Sequence, residues 1–228
     1  NLRDRYAIVE PGMVNLHLTN ALKGTGYHYA PDPSSQGSCT IGGNIATNSG
    51  GPHTLKYGVT TNHVLGLEAV LPDGSVINLG GPTAETPGYD LHGVYVGNEG
   101  TFGICTKAIV RLTRDPEAHR TMLAVFQTIS DATRAISEII AAGIIPSALE
   151  MMDQGIIQAI EEAFHFGFPL DAGAVLLIEV DGLEIALDEE ARRIVEICNA
   201  HKVREIQRAD TPEERLLIWK SRKQAFGA

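Results

Sequence analysis

The spacing of apolar residues differs between the two halves of the chain. In the second half apolar and polar positions recur regularly, whereas in the first half glycine is frequent and the periodicity is weaker. In 130–143 the apolar residues follow the i, i+3, i+4, i+7 spacing of an amphipathic helix, and Ser130 is its expected N-cap. The polar segment 114–120, which contains a proline, marks the change. The pattern therefore predicts one domain over 1–115 and another over 116–228.

The second half alternates strands with helices. Its apolar patterns predict strands over 121–128, 146–152, 173–182 and 202–207, and helices over 130–143, 153–164, 183–201 and 212–226. Strands with polar faces that alternate with helices are typical of an α+β sheet. We therefore expect a ferredoxin-like domain with its helices on one side of the sheet.

The first half contains fewer regular elements. A strand is predicted over 6–12, where Pro-Gly ends it, and a helix is predicted over 15–26 with Asn15 as its N-cap. Two runs of strand-forming residues flank Pro72-Asp73-Gly74, which is a strong turn signal. The segment 62–80 is therefore predicted to be a β-hairpin.

Two glycine-rich segments carry the candidate chemistry. The first, "PDPSSQGSCTIGGNIATNSGG" (31–51), is interpreted as a loop that runs into a helix start, and the second is "VGNEGTFGICT" (96–106). Glycines let a ligand approach the backbone closely, which suits a phosphate or a polar ring system. Neither G-x-x-x-x-G-K-[ST] nor G-x-G-x-x-G is present. A surface loop and a simple turn remain the alternatives, although two such segments in one domain favour a shared ligand.

Composition and charge exclude several classes of function. The 228 residues carry a formal net charge of -10 and form no cluster of Lys and Arg, so binding to nucleic acid is not expected. The three cysteines are far apart and the histidines do not pair at ligand spacing, so we expect no disulfide framework and no metal site. No run of about 18 apolar residues is present, and no signal peptide is recognised. These features predict a cytoplasmic protein without an integral membrane segment.

The same segments resemble a known family. "TIGGNIATNSGGPHTLKYGVTTNHVLGLEAVLPDG" and "PGYDLHGVYVGNEGTFGICTKAIVRL" resemble the flavin-binding domain of the vanillyl-alcohol oxidase and p-cresol methylhydroxylase (PCMH) family. Within it, the chain is most similar to the branch of bacterial glycolate oxidase FAD subunits and D-lactate and D-2-hydroxyglutarate dehydrogenases. "AAGIIPSALEMMD", "DAGAVLLIEVDG" and "LLIWKSRKQAFGA" resemble the cap (substrate) domain of that branch. The resemblance implies an α+β fold: the second subdomain of a PCMH-type FAD-binding domain, followed by a partial ferredoxin-like cap domain.

The resemblance also assigns residues to FAD by motif. The residues expected along the cofactor are Pro31, Asp32, Ser34 and Ser35. Those expected near the ring, the ribityl chain or the pyrophosphate are Thr40, Gly42, Gly43, Asn44, Asn48, Gly50 and Gly51, followed by Tyr57, Gly58 and Thr60. Those expected near the adenosine or diphosphate end are Glu99, Gly100, Gly103 and Ile104. His53, which lies among them, is expected to be an ordinary loop histidine.

The implied reaction is the FAD-dependent oxidation of a 2-hydroxy acid to a 2-oxo acid by hydride transfer to the flavin. Arg222 is expected to bind the substrate carboxylate, since a guanidinium can hold both oxygens. A solvated helix face beside Lys220 and Lys223 is the alternative for this residue. The catalytic base is unknown and is expected beyond Ala228, together with any divalent metal, and the family's other FAD subdomain is expected before Asn1.

The resemblance implies partners and leaves rivals open. An iron–sulfur subunit, a quinone or another electron acceptor would re-oxidise the flavin, and partner subunits could attach a cytoplasmic enzyme to the inner membrane. One rival is a non-catalytic fragment that cannot hold FAD alone. Another rival is a related flavoprotein that acts on an alcohol, a phenol or a sugar.

Overall fold

The chain forms two compact units, Asn1–Asp115 and Pro116–Ala228. The computed structural model describes residues 1–83 and 88–225. In the first unit the strands are β1 (Tyr6–Val9), β2 (Tyr27–His28), β3 (Val64–Val70), β4 (Val76–Gly80), β5 (Ile104–Arg111) and β6 (Thr113–Arg114), and the helices are α1 (Asn15–Ala21), α2 (Ile41–Thr47), α3 (Thr54–Tyr57) and α4 (Leu91–Tyr95). In the second unit the strands are β7 (Ala118–Phe126), β8 (Ala148–Asp153), β9 (Ala174–Gly182) and β10 (Val203–Arg208), and the helices are α5 (Ile129–Ala141), α6 (Gln154–Phe164), α7 (Glu184–Ala200) and α8 (Pro212–Gln224).

The first unit is built on an antiparallel sheet with the strand order β1-β5-β3-β4. Buried residues of β3 and β5, such as Leu67 and Ala108, share a core with Ile41 and Ile45 of α2. The short helix α2 is therefore fixed to the sheet by its own apolar side chains. This packing holds the glycine-rich residues on either side of Ile41 and Ile45 in a defined place.

The predicted hairpin is confirmed. Strands β3 and β4 pair antiparallel from Val70↔Val76 outward, and the turn between them is closed by a bond from the Gly74 N–H to the Leu71 carbonyl. Asp73 accepts from the Ser75 amide at 2.9 Å and from its hydroxyl at 2.6 Å. This is the turn chemistry that the Pro-Asp-Gly sequence favours.

The predicted helix at Asn15 is shorter than expected, and its cap was assigned wrongly. Val14 occupies the N-cap position, and Asn15 is the first helical residue. The Asn15 side chain is fully buried and donates to the Pro31 carbonyl at 2.9 Å and to Asn44 Oδ1 at 3.0 Å. A tertiary hydrogen-bond network thus uses the side chain that a local rule would place at the cap.

The segment 31–51 runs from a loop into a helix, as expected, because α2 lies inside it. Thr40 is the N-cap of α2, and its hydroxyl accepts from the Gly43 N–H at 3.2 Å. The last helical residue is Thr47, and the C-cap Asn48 has left-handed backbone angles (φ 48°, ψ 51°). Capping at both ends and the burial of Ile41 and Ile45 outweigh the low helix propensity of the paired glycines.

The second unit has the ferredoxin-like strand order. Its antiparallel sheet runs β10-β7-β9-β8, so the four strands stand in the order 4-1-3-2. The expectation of helices on one side only is wrong. Helices α5 and α7 pack on one face with Leu176 and Ile178, whereas α6 and α8 pack on the other face with Val175 and Leu177.

The reason for the second helical layer is visible in β9. All its residues from Ala174 to Asp181 are buried, and a strand that is apolar at consecutive positions needs cover on both faces. The additional helices α6 and α8 supply that cover on one of them. The predicted end of the last helix at Phe226 lies outside the described residues.

The cap of α5 also differs from the expectation. Thr128, not Ser130, is the N-cap, and its hydroxyl accepts from the Asp131 N–H at 3.1 Å. Thr128 has the extended backbone that a cap requires (φ -134°, ψ 148°), and its hydroxyl donates to the Asp131 carboxylate at 2.7 Å. Ser130 lies inside the first turn.

Candidate functional site

One cleft of the first unit collects six of the predicted cofactor residues. The cleft measures about 380 Å³, which is within the range of about 300–1,000 Å³ for small-molecule sites. The predicted residues in its lining are Thr40, Gly42, Gly43, Gly100, Gly103 and Ile104. The other lining residues are Pro11, Gly12, Ile45, Ala46, Tyr95, Asn98 and Cys105.

Backbone hydrogen bonds join the two glycine-rich segments at this cleft. The Gly97 N–H donates to the Ile45 carbonyl and the Glu99 N–H donates to the Ala46 carbonyl, each at 2.8 Å. Gly97 and Glu99 have positive φ values of 89° and 53°, and this turn aims their N–H groups at the end of α2. The two segments are therefore one continuous surface, as the expectation of a shared ligand requires.

The start of α2 does not offer its backbone N–H groups to a phosphate. The N–H groups of Ile41 and Gly42 donate to the Met13 and Pro11 carbonyls, each at 2.8 Å. The next two, of residues 43 and 44, donate to the hydroxyl and the carbonyl of Thr40. Because the chain itself satisfies these four groups, the phosphate alternative loses its donors here and the polar-ring alternative is favoured.

The four predicted glycines of the cleft fall into two groups. At Gly42 an added Cβ would lie 2.6 Å from Pro11 Cβ, and at Gly103 it would lie 2.4 Å from the Val70 carbonyl oxygen, so packing within the protein requires both glycines. At Gly43 the nearest such atom is Thr40 Oγ1 at 3.4 Å, and at Gly100 no atom lies within 4 Å. Gly100 has φ +82°, which by itself favours glycine. Gly43 is helical, so neither packing nor backbone conformation explains its missing side chain.

The unexplained bare surface at Gly43 fits a cofactor that lies against the backbone. Tyr95, which also lines the cleft, is buried, and burial raises the pKa of its phenol. Burial likewise raises the pKa of the Cys105 thiol to about 11, which keeps it neutral at physiological pH. The wall thus offers an uncharged, close-fitting surface, as FAD binding would need from this side.

The other predicted residues lie outside this cleft, and many of them have structural partners. Asp32 Oδ2 lies 2.7 Å from His53 Nδ1, and a Cβ on Gly51 would lie 2.4 Å from Asp32 Oδ1. His53 is thus a paired loop histidine. Asn44 Nδ2 donates to Ser49 Oγ at 3.3 Å, so Asn44 braces the end of α2 from within.

A second group of the predicted residues stabilises the segment after α2. Asn48 Oδ1 accepts from the Thr61 N–H at 2.9 Å, and the buried Thr60 donates through its hydroxyl to the Ser49 carbonyl at 2.7 Å. Gly58 has φ +82°, and the Tyr57 carbonyl lies 2.8 Å from His63 Nε2. A Cβ on Gly50 would lie 2.8 Å from Thr54 Oγ1. The backbone here is closely packed against itself.

The segment before α2 shows the same behaviour. The Pro31 carbonyl accepts from Asn15, and the Ser35 carbonyl accepts from the Ser38 and Cys39 N–H groups at 2.8 Å. Ser34 lies in the same turn. The cofactor roles of all residues outside the cleft stay predictions.

Sequence reasoning missed one part of the cleft. Pro11 and Gly12 line it, and the Pro11 carbonyl holds the start of α2. The Pro-Gly pair was interpreted only as the end of a strand. A proline-glycine turn that precedes a glycine pair in the same domain is a signal that could have indicated this contact.

Arg222, the predicted carboxylate ligand, lies on α8 and pairs with Glu150 of β8. Arg222 Nε donates to Glu150 Oε2 at 2.7 Å, and Nη2 lies 2.5 Å from the same oxygen. The two side chains are 18% and 21% exposed. The guanidinium is therefore held in one orientation near the surface and does not lie on a solvated helix face.

A second charged cluster in this unit was not predicted from the sequence. Glu179 of β9 is 0% exposed and accepts from Arg215 Nε at 2.8 Å, from Arg215 Nη2 at 2.7 Å and from Trp219 Nε1 at 2.8 Å. The Thr121 hydroxyl also donates to it. Since a buried carboxylate needs such partners, this cluster anchors α8 to the sheet.

Metal-ligand clusters and membrane-spanning helices are both absent from the part of the chain that the structure describes. Within residues 1–83 and 88–225, no group of three or more His, Cys, Asp or Glu side chains is arranged to hold a metal ion. In the same part of the chain, no helix combines the length and the apolar character needed to cross a membrane.

Comparison with protein families matches both parts of the chain. Residues 1–80 match the FAD binding domain family. Residues 115–228 match the family described as FAD linked oxidases, C-terminal domain. The two matches fall in the two units described above.

Individual relatives agree with these matches. The glycolate oxidase subunit GlcD of Escherichia coli (strain K12) is 42% identical over 224 residues, which are 98% of this chain and 45% of that protein. The D-lactate dehydrogenase of Archaeoglobus fulgidus is 39% identical over 199 residues, which are 86% of this chain and 44% of that protein. The chain therefore spans less than half the length of these relatives.

A solved structure supports the fold. An alkyldihydroxyacetonephosphate synthase superposes with a TM-score of 0.82 over 99% of this chain and 45% of its own chain, at 21% sequence identity. At that identity the likeness concerns the α+β fold alone. The two family matches lead to one conclusion: the chain belongs to the FAD-linked oxidases.

Proposed function

We propose that the full-length protein is an FAD-dependent oxidoreductase that converts a 2-hydroxy acid of the glycolate or D-lactate type into the 2-oxo acid. The observation that carries the proposal is the glycine-faced cleft, which lies in a chain of the FAD-linked oxidase family. Relatives named glycolate oxidase subunit and D-lactate dehydrogenase support the substrate class.

The role of the cleft is to hold one side of the cofactor. Gly43 and Gly100 would let the cofactor lie against the backbone. When bound, FAD would supply the acceptor for the hydride that leaves the substrate α-carbon. The residues predicted outside the cleft would support this wall, because their hydrogen bonds fix the segments on both sides of α2.

The role of Arg222 is to bind the substrate carboxylate. A 2-hydroxy acid is an anion, and a protein of net charge -10 needs a local cation to bind it. Arg222 is a partly exposed guanidinium with a fixed orientation. Its planar fork can meet a carboxylate at two points, which a lysine cannot do.

The relatives also support a partner protein. The name of the Escherichia coli relative describes a subunit, so we propose that the full-length protein passes electrons to a separate acceptor, of which an iron–sulfur subunit is one candidate. The catalytic base is not assigned to a residue of this chain.

Purified full-length protein tests the proposal. We expect the visible absorption of oxidised flavin and turnover of at least one of glycolate, D-lactate and D-2-hydroxyglutarate with an artificial electron acceptor. A yellow protein that oxidises only alcohols, phenols or sugars would contradict the substrate class. A full-length protein that stays colourless after addition of FAD would contradict the proposal.

A conservative substitution tests the role of Arg222. Arg222→Lys should raise KM for the acid roughly tenfold, because one of two carboxylate contacts is lost. The FAD content should stay unchanged. An unchanged kcat/KM would remove Arg222 from the substrate site.

A further inference from the structure

Two glutamates of the second sheet face the same helix. In the register of β8 and β9, Ala148 stands opposite Glu179 and Glu150 stands opposite Leu177. Opposite residues of an antiparallel pair share a face, and so do residues two apart on one strand. Glu150 and Glu179 therefore both project from the face that α8 covers.

Helix α8 presents three residues to these glutamates, all from one side of its surface. Arg215 and Trp219 are four residues apart, and Arg222 follows three residues later, so all three lie on one helical face. Arg215 and Trp219 donate to Glu179, and Arg222 donates to Glu150. The buried pair fixes the helix, and the outer pair fixes the guanidinium at its C-terminal end.

We propose that Glu150 is a positioning residue for substrate binding, which acts by holding Arg222 in the orientation that receives the substrate carboxylate. The inference rests on the proposed function, in which Arg222 binds the acid. Glu150 Oε2 takes donors from Nε and Nη2. This contact sets the plane of the guanidinium, and therefore the directions of all its N–H groups.

The physical basis is preorganisation. An arginine side chain has four rotatable bonds, and a freely moving one must be immobilised when the substrate binds. An arginine that is already held loses less entropy at that moment. A carboxylate at Glu150 also partly neutralises Arg222, so an opposite role, in which Glu150 competes with the substrate, makes the opposite prediction.

The test uses four variants of the full-length flavoprotein: Glu150→Ala, Glu150→Gln, Arg222→Ala and the double variant Glu150→Ala/Arg222→Ala. Glu189→Ala is the matched control, because it removes an exposed glutamate–arginine pair on α7 of the same unit. KM and kcat for the best 2-hydroxy acid, the FAD content and the melting temperature are measured for each.

We expect Glu150→Ala to raise KM about 3- to 10-fold with little change in kcat and unchanged FAD content. Glu150→Gln, whose amide oxygen still accepts from Arg222, should recover most of this loss. In the Arg222→Ala background, Glu150→Ala should have no further effect on KM. Glu189→Ala should leave KM unchanged.

Several results would overturn the inference. A lower KM in Glu150→Ala would mean that Glu150 competes with the substrate. A rise of equal size in the Arg222→Ala background, or a lower melting temperature with KM unchanged, would mean a merely structural role. If Arg222→Ala raises KM and Glu150→Ala does not, the inference fails and the proposed role of Arg222 stands. If Arg222→Ala leaves KM unchanged, or the wild-type protein turns over no 2-hydroxy acid, both fail.

Discussion

The cleft of the first unit and the face of α8 that meets the sheet in the second unit are lined by opposite kinds of residue. The described residues that line the cleft are all uncharged, and several of them are glycines. The α8 face instead carries two glutamate–arginine pairs, Glu179–Arg215 and Glu150–Arg222. A neutral wall can bind a ligand by shape and close approach, whereas under the proposed function Arg222 of the α8 face would bind an anion. The contrast matches a large cofactor on one unit and an acid substrate on the other.

The two surfaces also differ in what keeps them in place. Backbone hydrogen bonds fix the cleft. Its geometry also depends on glycines that packing requires, such as Gly42. The α8 face depends on Glu179, which is fully buried and accepts hydrogen bonds from three residues. Loss of one partner there leaves other polar groups buried without compensation.

The largest effect should follow from breaking the buried cluster. Glu179→Ala leaves Arg215, Trp219 and Thr121 without this acceptor. The substitution should lower the free energy of unfolding by about 3 kcal/mol. This value lies at the lower end of the range for a broken buried ion pair, because Arg215 is 36% exposed. Urea denaturation of the full-length protein measures this change. Glu189→Ala, which breaks an exposed pair, should cost far less. Equal effects of the two substitutions would refute the anchoring role of Glu179.

Substitutions at the two adjacent glycines of α2 test packing and ligand binding separately. Gly42→Ala should destabilise the fold by about 1–3 kcal/mol, because its Cβ would lie 2.6 Å from Pro11 Cβ. Gly43→Ala should keep stability or raise it by up to about 1 kcal/mol, since alanine favours the helix and only Thr40 Oγ1 lies nearby. FAD affinity should nevertheless fall roughly tenfold, which corresponds to about 1.4 kcal/mol.

Thermal melting with and without added FAD, and FAD titration, measure both effects of the glycine pair. If Gly43→Ala binds FAD as tightly as the wild-type protein, its bare surface does not face the cofactor. If both variants lose the same stability, the distinction between the two glycines is wrong.

The smallest effect concerns a histidine that the first unit holds neutral. His63 is 4% exposed, its Nε2 lies 2.8 Å from the Tyr57 carbonyl, and burial lowers its pKa below the ordinary 6.5. The unfolded chain therefore takes up the proton more readily than the folded one. The stability that His63 contributes should be constant above about pH 6.5 and should be lost as the pH decreases below 6.5 through the lowered pKa.

Melting temperatures at several pH values check the role of His63. His63→Gln, which keeps a donor for the Tyr57 carbonyl, should show a smaller loss on acidification than the wild-type protein. His165→Asn is the control, because His165 is exposed at the end of α6. A pH profile that His63→Gln leaves unchanged would assign the acid sensitivity to other groups.

Much of the fold could be predicted from local patterns. The hairpin around Asp73 and the helices of the second unit follow from turn chemistry and apolar periodicity, and the structure confirms them. Two of the wrong predictions concern helix caps. Asn15 was expected to be a cap, but its side chain makes a tertiary bond to Asn44. Ser130 was expected to be a cap, but Thr128, two residues earlier, takes that position.

The candidate site was predictable only in part. Motif resemblance indicated Thr40, Gly43 and Gly100, and the structure brings these together in one cleft. The partners of Arg222 and the cluster at Glu179 could not be predicted, because strand register decides which side chain of β8 or β9 meets which turn of α8. No spacing along the chain encodes a contact between Glu150 and Arg222, which are 72 residues apart.

The most direct test of the account is the anaerobic reduction of the flavin in the full-length protein by 2-hydroxy acids. The protein is mixed with glycolate, D-lactate or D-2-hydroxyglutarate in the absence of oxygen, and the visible absorption of the bound flavin is followed. The account predicts that at least one acid bleaches this absorption, and that Arg222→Lys requires a higher concentration of the same acid. Bound flavin that none of the three acids bleaches would contradict the account.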